Sequence, residues 1–160
     1  MENDFLEEMG YPGLTGRLKR LSDLFVYQTK EFYKAHEVDI EPNWHMIFVM
    51  LEKHENLTVM EIAETLHLSH PAIVKLINKM KKKGYIKSVL DPTDNRKYQL
   101  TLSKKAKSKL PELKEYWNAG EKALEEMLDY NTELLQQLSV VEKNMNKSDF
   151  RERMEKLLKK

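Results

Sequence analysis

Apolar residues recur along most of this chain at helical spacing. Leu14, Leu18, Leu21, Phe25 and Phe32 fall at steps of four, three, four and seven, which predicts one helix over about 13–36 with a single apolar face. So long a stripe at the start of a small domain needs a wrap-around core or a partner chain to cover it. Glu41-Pro42 suits a helix start, because proline has no N–H to lose in the first turn. Trp44, Ile47, Phe48 and Leu51 then mark the buried stripe of a second helix ending near 52–54. Leu57-Thr58 is long enough only for a bridging pair, and Thr58 with Glu61 has the spacing of a capping box. The helix it opens carries Ile62, Ala63 and Leu66 and stops near His67.

Ser69 is placed to cap the next helix, with Pro71 in its first turn and Ile73, Ile77 and Met80 facing inward. Gly84 ends it, just beyond the basic turn Lys81-Lys82-Lys83. The period then changes. Residues 85–90 and 97–102 read as two strands, joined by turn formers at 91–96. Helical spacing returns after Ser103, with Ala106, Leu110, Leu113 and Trp117 on one face and Leu124 and Leu128 continuing it; Pro111 is a candidate kink. Leu134, Leu135, Leu138 and Val141 predict a further helix. A polar break at 144–148 then separates it from a last one carrying Phe150, Met154, Leu157 and Leu158. The expectation is a mainly α protein with a small β-hairpin: a winged helix-turn-helix over 41–104, flanked by one long helix in 1–40 and further helices in 105–160.

Charge changes this picture from a generic helical domain to one with a directed surface. The net charge is +1, yet the segment 70–109 holds twelve Lys or Arg against two Asp, a balance of +10, and the rest of the chain sums to −9. A basic segment on an acidic body is the footprint of nucleic-acid contact. With Ile73, Ile77 and Met80 inward, the opposite face of that helix shows His70, Pro71, Lys75, Asn78, Lys79 and Lys82. His70 and Asn78 have the donors and acceptors to read base edges, and the lysines suit phosphates or guanine acceptors. Each alone is an ordinary surface residue; the set, beside a hairpin, points to a major groove. Arg96, with Asp94 two residues before it and Lys97 after it, puts a guanidinium at a thin tip that fits a minor groove.

Composition closes several other routes. The chain has no cysteine, so disulfides, thiolate metal sites and thiol redox sensing are absent. There is no glycine-rich phosphate loop, nucleophile elbow or dense carboxylate–histidine group, so no enzyme is expected. The acidic start Met1-Glu2-Asn3-Asp4 and the lack of a long apolar run give the expectation of a cytoplasmic protein without a membrane segment.

Two stretches are specific enough to name a likeness. Ser69-His70-Pro71-Ala72-Ile73-Val74, with Met80 and Lys83-Gly84-Tyr85-Ile86, resembles the recognition helix of the MarR (multiple antibiotic resistance regulator) family. Asp91-Pro92-Thr93-Asp94-Asn95-Arg96, followed by Leu100-Thr101-Leu102-Ser103, resembles that family's wing. The resemblance implies a homodimer, with the helix in 1–40 and the helices in 105–160 as its dimerisation helices, that binds double-stranded DNA at a palindromic operator, as a repressor more than an activator. Ser69, His70, Pro71, Lys75 and Lys79 would lie in or beside the major groove, with Arg96 at the wing tip. Ala106 departs from the glycine common after the wing, and residues 144–160 extend beyond a minimal member.

Many members bind small aromatic acids or phenols in a crevice between the dimer and DNA-binding parts. Trp44, His45, Phe48 and Trp117 are candidates to line such a pocket, with Tyr11 to close it; the alternative is that they form plain core. A metal-responsive regulator is a further alternative. All five histidines fall in the first half of the chain, however, and a helix break separates His67 from His70, so no metal or other cofactor is expected. The remaining alternative is a winged helix that holds another protein without specific DNA binding.

Overall fold

The computed structural model describes residues 4–90 and 98–159. Its elements are α1 (Phe5–Glu8), α2 (Leu14–Ala35), α3 (His45–His54), α4 (Val59–Leu66), α5 (His70–Lys82), β1 (Ile86–Leu90), β2 (Tyr98–Leu102), α6 (Lys104–Met127), α7 (Glu133–Lys147) and α8 (Phe150–Leu158). The chain divides into two compact units, residues 1–110 and 111–160.

In the first unit the predicted stripes meet. Trp44, Ile47, Phe48 and Leu51 of the α3 region, Ile62 and Ala63 of α4, and Ile73, Ile77 and Met80 of α5 are all buried. The hairpin adds Ile86, Leu100 and Leu102, and the first turns of α6 add Ala106 and Leu110. β1 and β2 pair antiparallel with Ile86 opposite Leu102 and Ser88 opposite Leu100. Leu57 forms the expected bridging pair, exchanging backbone hydrogen bonds with Leu100 and tying the start of α4 to the hairpin. The capping box also forms: Thr58 Oγ1 accepts from Glu61 N, and the Glu61 carboxylate accepts from Thr58 N at 2.7 Å. Tyr33 and Ile40 are buried too, whereas the α2 residues Leu14, Leu18, Leu21, Phe25 and Phe32 stay 37–47% exposed within one chain.

Residues 4–13 hold a small structure that periodicity does not announce. Asp4 caps α1 by accepting from Leu6 N, and its carboxylate also accepts from Nη1 and Nη2 of Arg20 in α2. Gly13 lies so close to the Leu6 carbonyl that a Cβ there would stand 1.9 Å from its oxygen, so the turn requires glycine.

The second unit holds α7, α8 and the later turns of α6. Here one expectation is corrected: α7 runs unbroken to Lys147, and the break is confined to Ser148 and Asp149. Asp149 caps α8 by accepting from Glu152 N, and Arg153 donates to the carbonyls of Asn144 and Ser148. With those carbonyls satisfied, the asparagines at 144 and 146 no longer end the helix. Among the described residues no helix is long and apolar enough to cross a membrane.

Candidate nucleic-acid interface

The candidate site is the outer face of α5, and its geometry follows from how α5 is held. At its start, Ser69 takes extended backbone angles and its Oγ accepts from Ala72 N, while Pro71 occupies the first turn without losing a hydrogen bond. The preceding turn is tight because His67 adopts a left-handed conformation, φ 51° and ψ 37°, and Leu68 N donates back to the Ala63 carbonyl. α4, turn and α5 therefore form a helix-turn-helix. Ile73, Ile77 and Met80 are 0–1% exposed, which turns the opposite arc of α5 to solvent.

The far end of α5 is locked as firmly. Gly84, at φ 77°, allows Gly84 N to donate to the Lys81 carbonyl and Tyr85 N to the Met80 carbonyl, a Schellman ending that few other residues permit. Ser103 Oγ donates to the Gly84 carbonyl at 2.6 Å, and Lys105 Nζ donates to the Lys83 carbonyl at 2.8 Å while lying 4.1 Å from the centre of the Tyr85 ring. Tyr85 in turn meets Trp44 and Phe48 edge to face, at 5.9 and 5.5 Å between centroids. The helix, the base of the hairpin and α6 are thus joined at one point. Sequence reading missed this clasp, since nothing in the spacing distinguishes Lys105 from the lysines around it.

Ser69, His70, Pro71, Lys75, Asn78 and Lys79 are all exposed. Of these, His70, Pro71, Lys75, Asn78 and Lys79, together with Lys82, line one shallow depression along α5, and Val74 joins them. Periodicity left Val74 undecided, because it lies at the border of the inner and outer arcs. The last turn carries Lys79, Lys81 and Lys82, cations that also complement the negative end of the helix. Among the described residues no acidic side chain pairs with Lys75, Lys79 or Lys82, whereas Lys83 pairs with Asp39 at 2.6 Å. The hairpin strands lead to residues 91–97; Asp94, Arg96 and Lys97 lie outside the described residues.

The aromatic candidates of the first unit differ in exposure. Trp44 and Phe48 are 2% and 0% exposed, Tyr11 is 96% exposed, and His45 faces outward. Trp117, half-buried, belongs to the second unit. Trp44 Nε1 is buried without a hydrogen-bond acceptor, and Trp44 lines a cleft of about 290 Å³ with residues of the 38–41 loop and with Lys79, Lys82 and Lys83. Among the described residues no three His, Asp or Glu gather as a metal site would require.

A helix-turn-helix whose second helix projects a basic face, followed by a two-stranded hairpin, defines a winged helix-turn-helix protein. Residues 38–97 match the MarR family. Over 95 residues the chain is 25% identical to the HTH-type transcriptional regulator SarZ of Staphylococcus aureus, covering 56% of this chain and 64% of SarZ. The chain so spans slightly under two thirds of that relative's length. The S. aureus MepR–DNA complex shares the fold with a TM-score of 0.72 at 17% identity, over 82% of this chain and 97% of MepR. A MarR protein from Peptoclostridium difficile does so with a TM-score of 0.66 at 20% identity, over 94% and 93%. The similarity to the MarR family thus spans residues 38–97, from just before α3 to the hairpin.

Proposed function

We propose that this protein is a non-catalytic transcription regulator of the cytoplasm that binds a palindromic DNA operator as a homodimer and represses by occupying it. The observation that carries this reading is the outer face of α5. It is exposed, basic and free of acidic partners among the described residues, while its inner face and both ends are fixed. A helix held in that way enters a major groove without reorganising, with Ser69, His70, Pro71, Lys75, Asn78 and Lys79 at bases and phosphates. Arg96, with Asp94 and Lys97, would follow the adjacent minor groove. The apolar face of α2, left half-exposed in one chain, supports a dimer, and the DNA in the MepR complex is consistent with the same use of the shared fold.

Fluorescence anisotropy against DNA from the gene's own upstream region tests this over a salt series. Binding tighter than to random duplex, falling steeply with salt, is expected, with Arg96→Ala weaker by about 1–3 kcal/mol. Binding equal to random duplex at every salt would instead favour a winged helix that holds a protein. Deleting the gene should raise expression of a promoter reporter; a loss of expression would make the protein an activator.

Trp44 favours a second element of this reading, release by a small aromatic or phenolic acid. A buried indole N–H normally has an acceptor, and the cleft beside Trp44 is lined by Lys79 and Lys82, which also line the α5 depression. An anion there would neutralise two cations that DNA needs. Benzoate should weaken DNA binding by the wild type and not by Trp44→Phe; equal weakening of both would remove Trp44 from the site. His45, Phe48, Tyr11 and Trp117 would then be tested in the same assay.

A further inference from the structure

Val74 stands apart on the outer face of α5. It is half-buried at the rim of the depression, in a column with His70 one turn before it and Asn78 one turn after. The core beneath is already closed by Ile73, Ile77 and Met80, at 0–1% exposure, so Val74 is not needed to seal it. A β-branched residue is also a poor choice for an outward helix position, where lysine or alanine favours the helix more. Among its neighbours in the depression only Pro71 is likewise apolar.

In a major groove the distinctive apolar feature of a base edge is the 5-methyl group of thymine. We propose that Val74 makes this protein selective for a thymine in each half-site, by packing its methyl groups against that 5-methyl, between the bases addressed by His70 and Asn78. The inference rests on the DNA-binding reading and deepens it. It also fixes a spacing. One helical turn of four residues rises about 6 Å, which matches about two base pairs at 3.4 Å each. The thymine read by Val74 should therefore lie about two base pairs from the position at which Asn78→Ala relaxes specificity.

The test removes one methyl group at a time from each partner. A preferred duplex is first recovered from a random-sequence pool with the full-length protein, and its thymines are then replaced singly by deoxyuridine, which keeps base pairing and lacks only the methyl. Burying one methyl group contributes about 0.8 kcal/mol, so a single replacement at the thymine that Val74 reads should weaken wild-type binding about fourfold. Val74→Ala and Val74→Ser should bind the thymine and deoxyuridine duplexes alike. Lys75→Ala should bind both more weakly, with a shallower salt dependence and the fourfold ratio retained, which separates base reading from general loss of affinity. A duplex with no methyl-sensitive thymine, or a ratio that persists in both Val74 variants, would overturn the proposal. Recovery of no preferred duplex would overturn the DNA-binding reading itself, and this inference with it.

Discussion

The inner stripe of α5 and the apolar stripe of α2 are written in the same code and meet different fates. Ile73, Ile77 and Met80 recur at steps of four and three and are 0–1% exposed. Leu14, Leu18, Leu21 and Phe25 recur at four, three and four and remain 37–47% exposed in the single chain. Helical spacing says which face is apolar. It does not say what covers that face. Where the covering elements lie within some sixty residues, as α3, α4 and the hairpin do for α5, the chain closes its own core. Where they do not, the face stays available to a second copy, and the hydrophobic effect that packs a core becomes a drive to associate.

Four substitutions break or sharpen this contrast, from the largest effect to the smallest. Ile77→Ala opens a cavity in a filled core and should cost about 2–5 kcal/mol in urea unfolding, at any protein concentration; a cost below about 0.5 kcal/mol would mean that α5 is not locked from within. Leu18→Asp should act through association. We expect its dimer dissociation constant, followed by sedimentation, to rise at least about tenfold, or about 1.4 kcal/mol, with DNA affinity falling alongside. A wild-type chain that sediments as a monomer throughout would show that the α2 face is simply solvated.

Gly84→Ala tests the end of α5. A side chain at φ 77° should cost about 1–2 kcal/mol, and DNA affinity should drop as the Lys79–Lys82 turn loses its fixed position. Unchanged thermal stability would argue against the Schellman ending. The smallest effect lies at the α1–α2 tie. The Arg20 side-chain hydrogen bonds hold the Asp4 carboxyl below the ordinary carboxylate range. A depressed acid contributes stability that is present above its ordinary value and is lost as pH falls through the lowered one. Hydrogen exchange in α1 should thus accelerate only in acid, and Arg20→Gln should move that midpoint upward. A midpoint that does not move would mean that Arg20 is not its cause.

Much of the fold was legible because its signals are local. A cap such as Thr58 with Glu61, a stop such as Gly84, and the stripes of α3 to α5 each depend on residues within one or two turns. The outer face of α5 could be named once its inner face was known, since the two are fixed by one helical period. Other features could not be read in advance. The Lys105 contacts with Lys83 and Tyr85 span about twenty residues, the Asp39–Lys83 pair spans forty-four, and the bidentate Asp4–Arg20 tie spans sixteen. No periodicity selects such partners.

The same division separates what each level decided about function. The amino-acid order alone determined a basic second helix after a short turn, a hairpin behind it, and an apolar stripe without an obvious cover. Those follow from side-chain chemistry and the fixed geometry of helix and strand. Only the tertiary structure decided that Lys75, Lys79 and Lys82 lack acidic partners among the described residues while Lys83 has one, that Trp44 is buried with its N–H unanswered, and that Val74 stands on the rim rather than in the core. Each of these depends on which distant residues arrive beside it, and that is a property of packing, not of spacing.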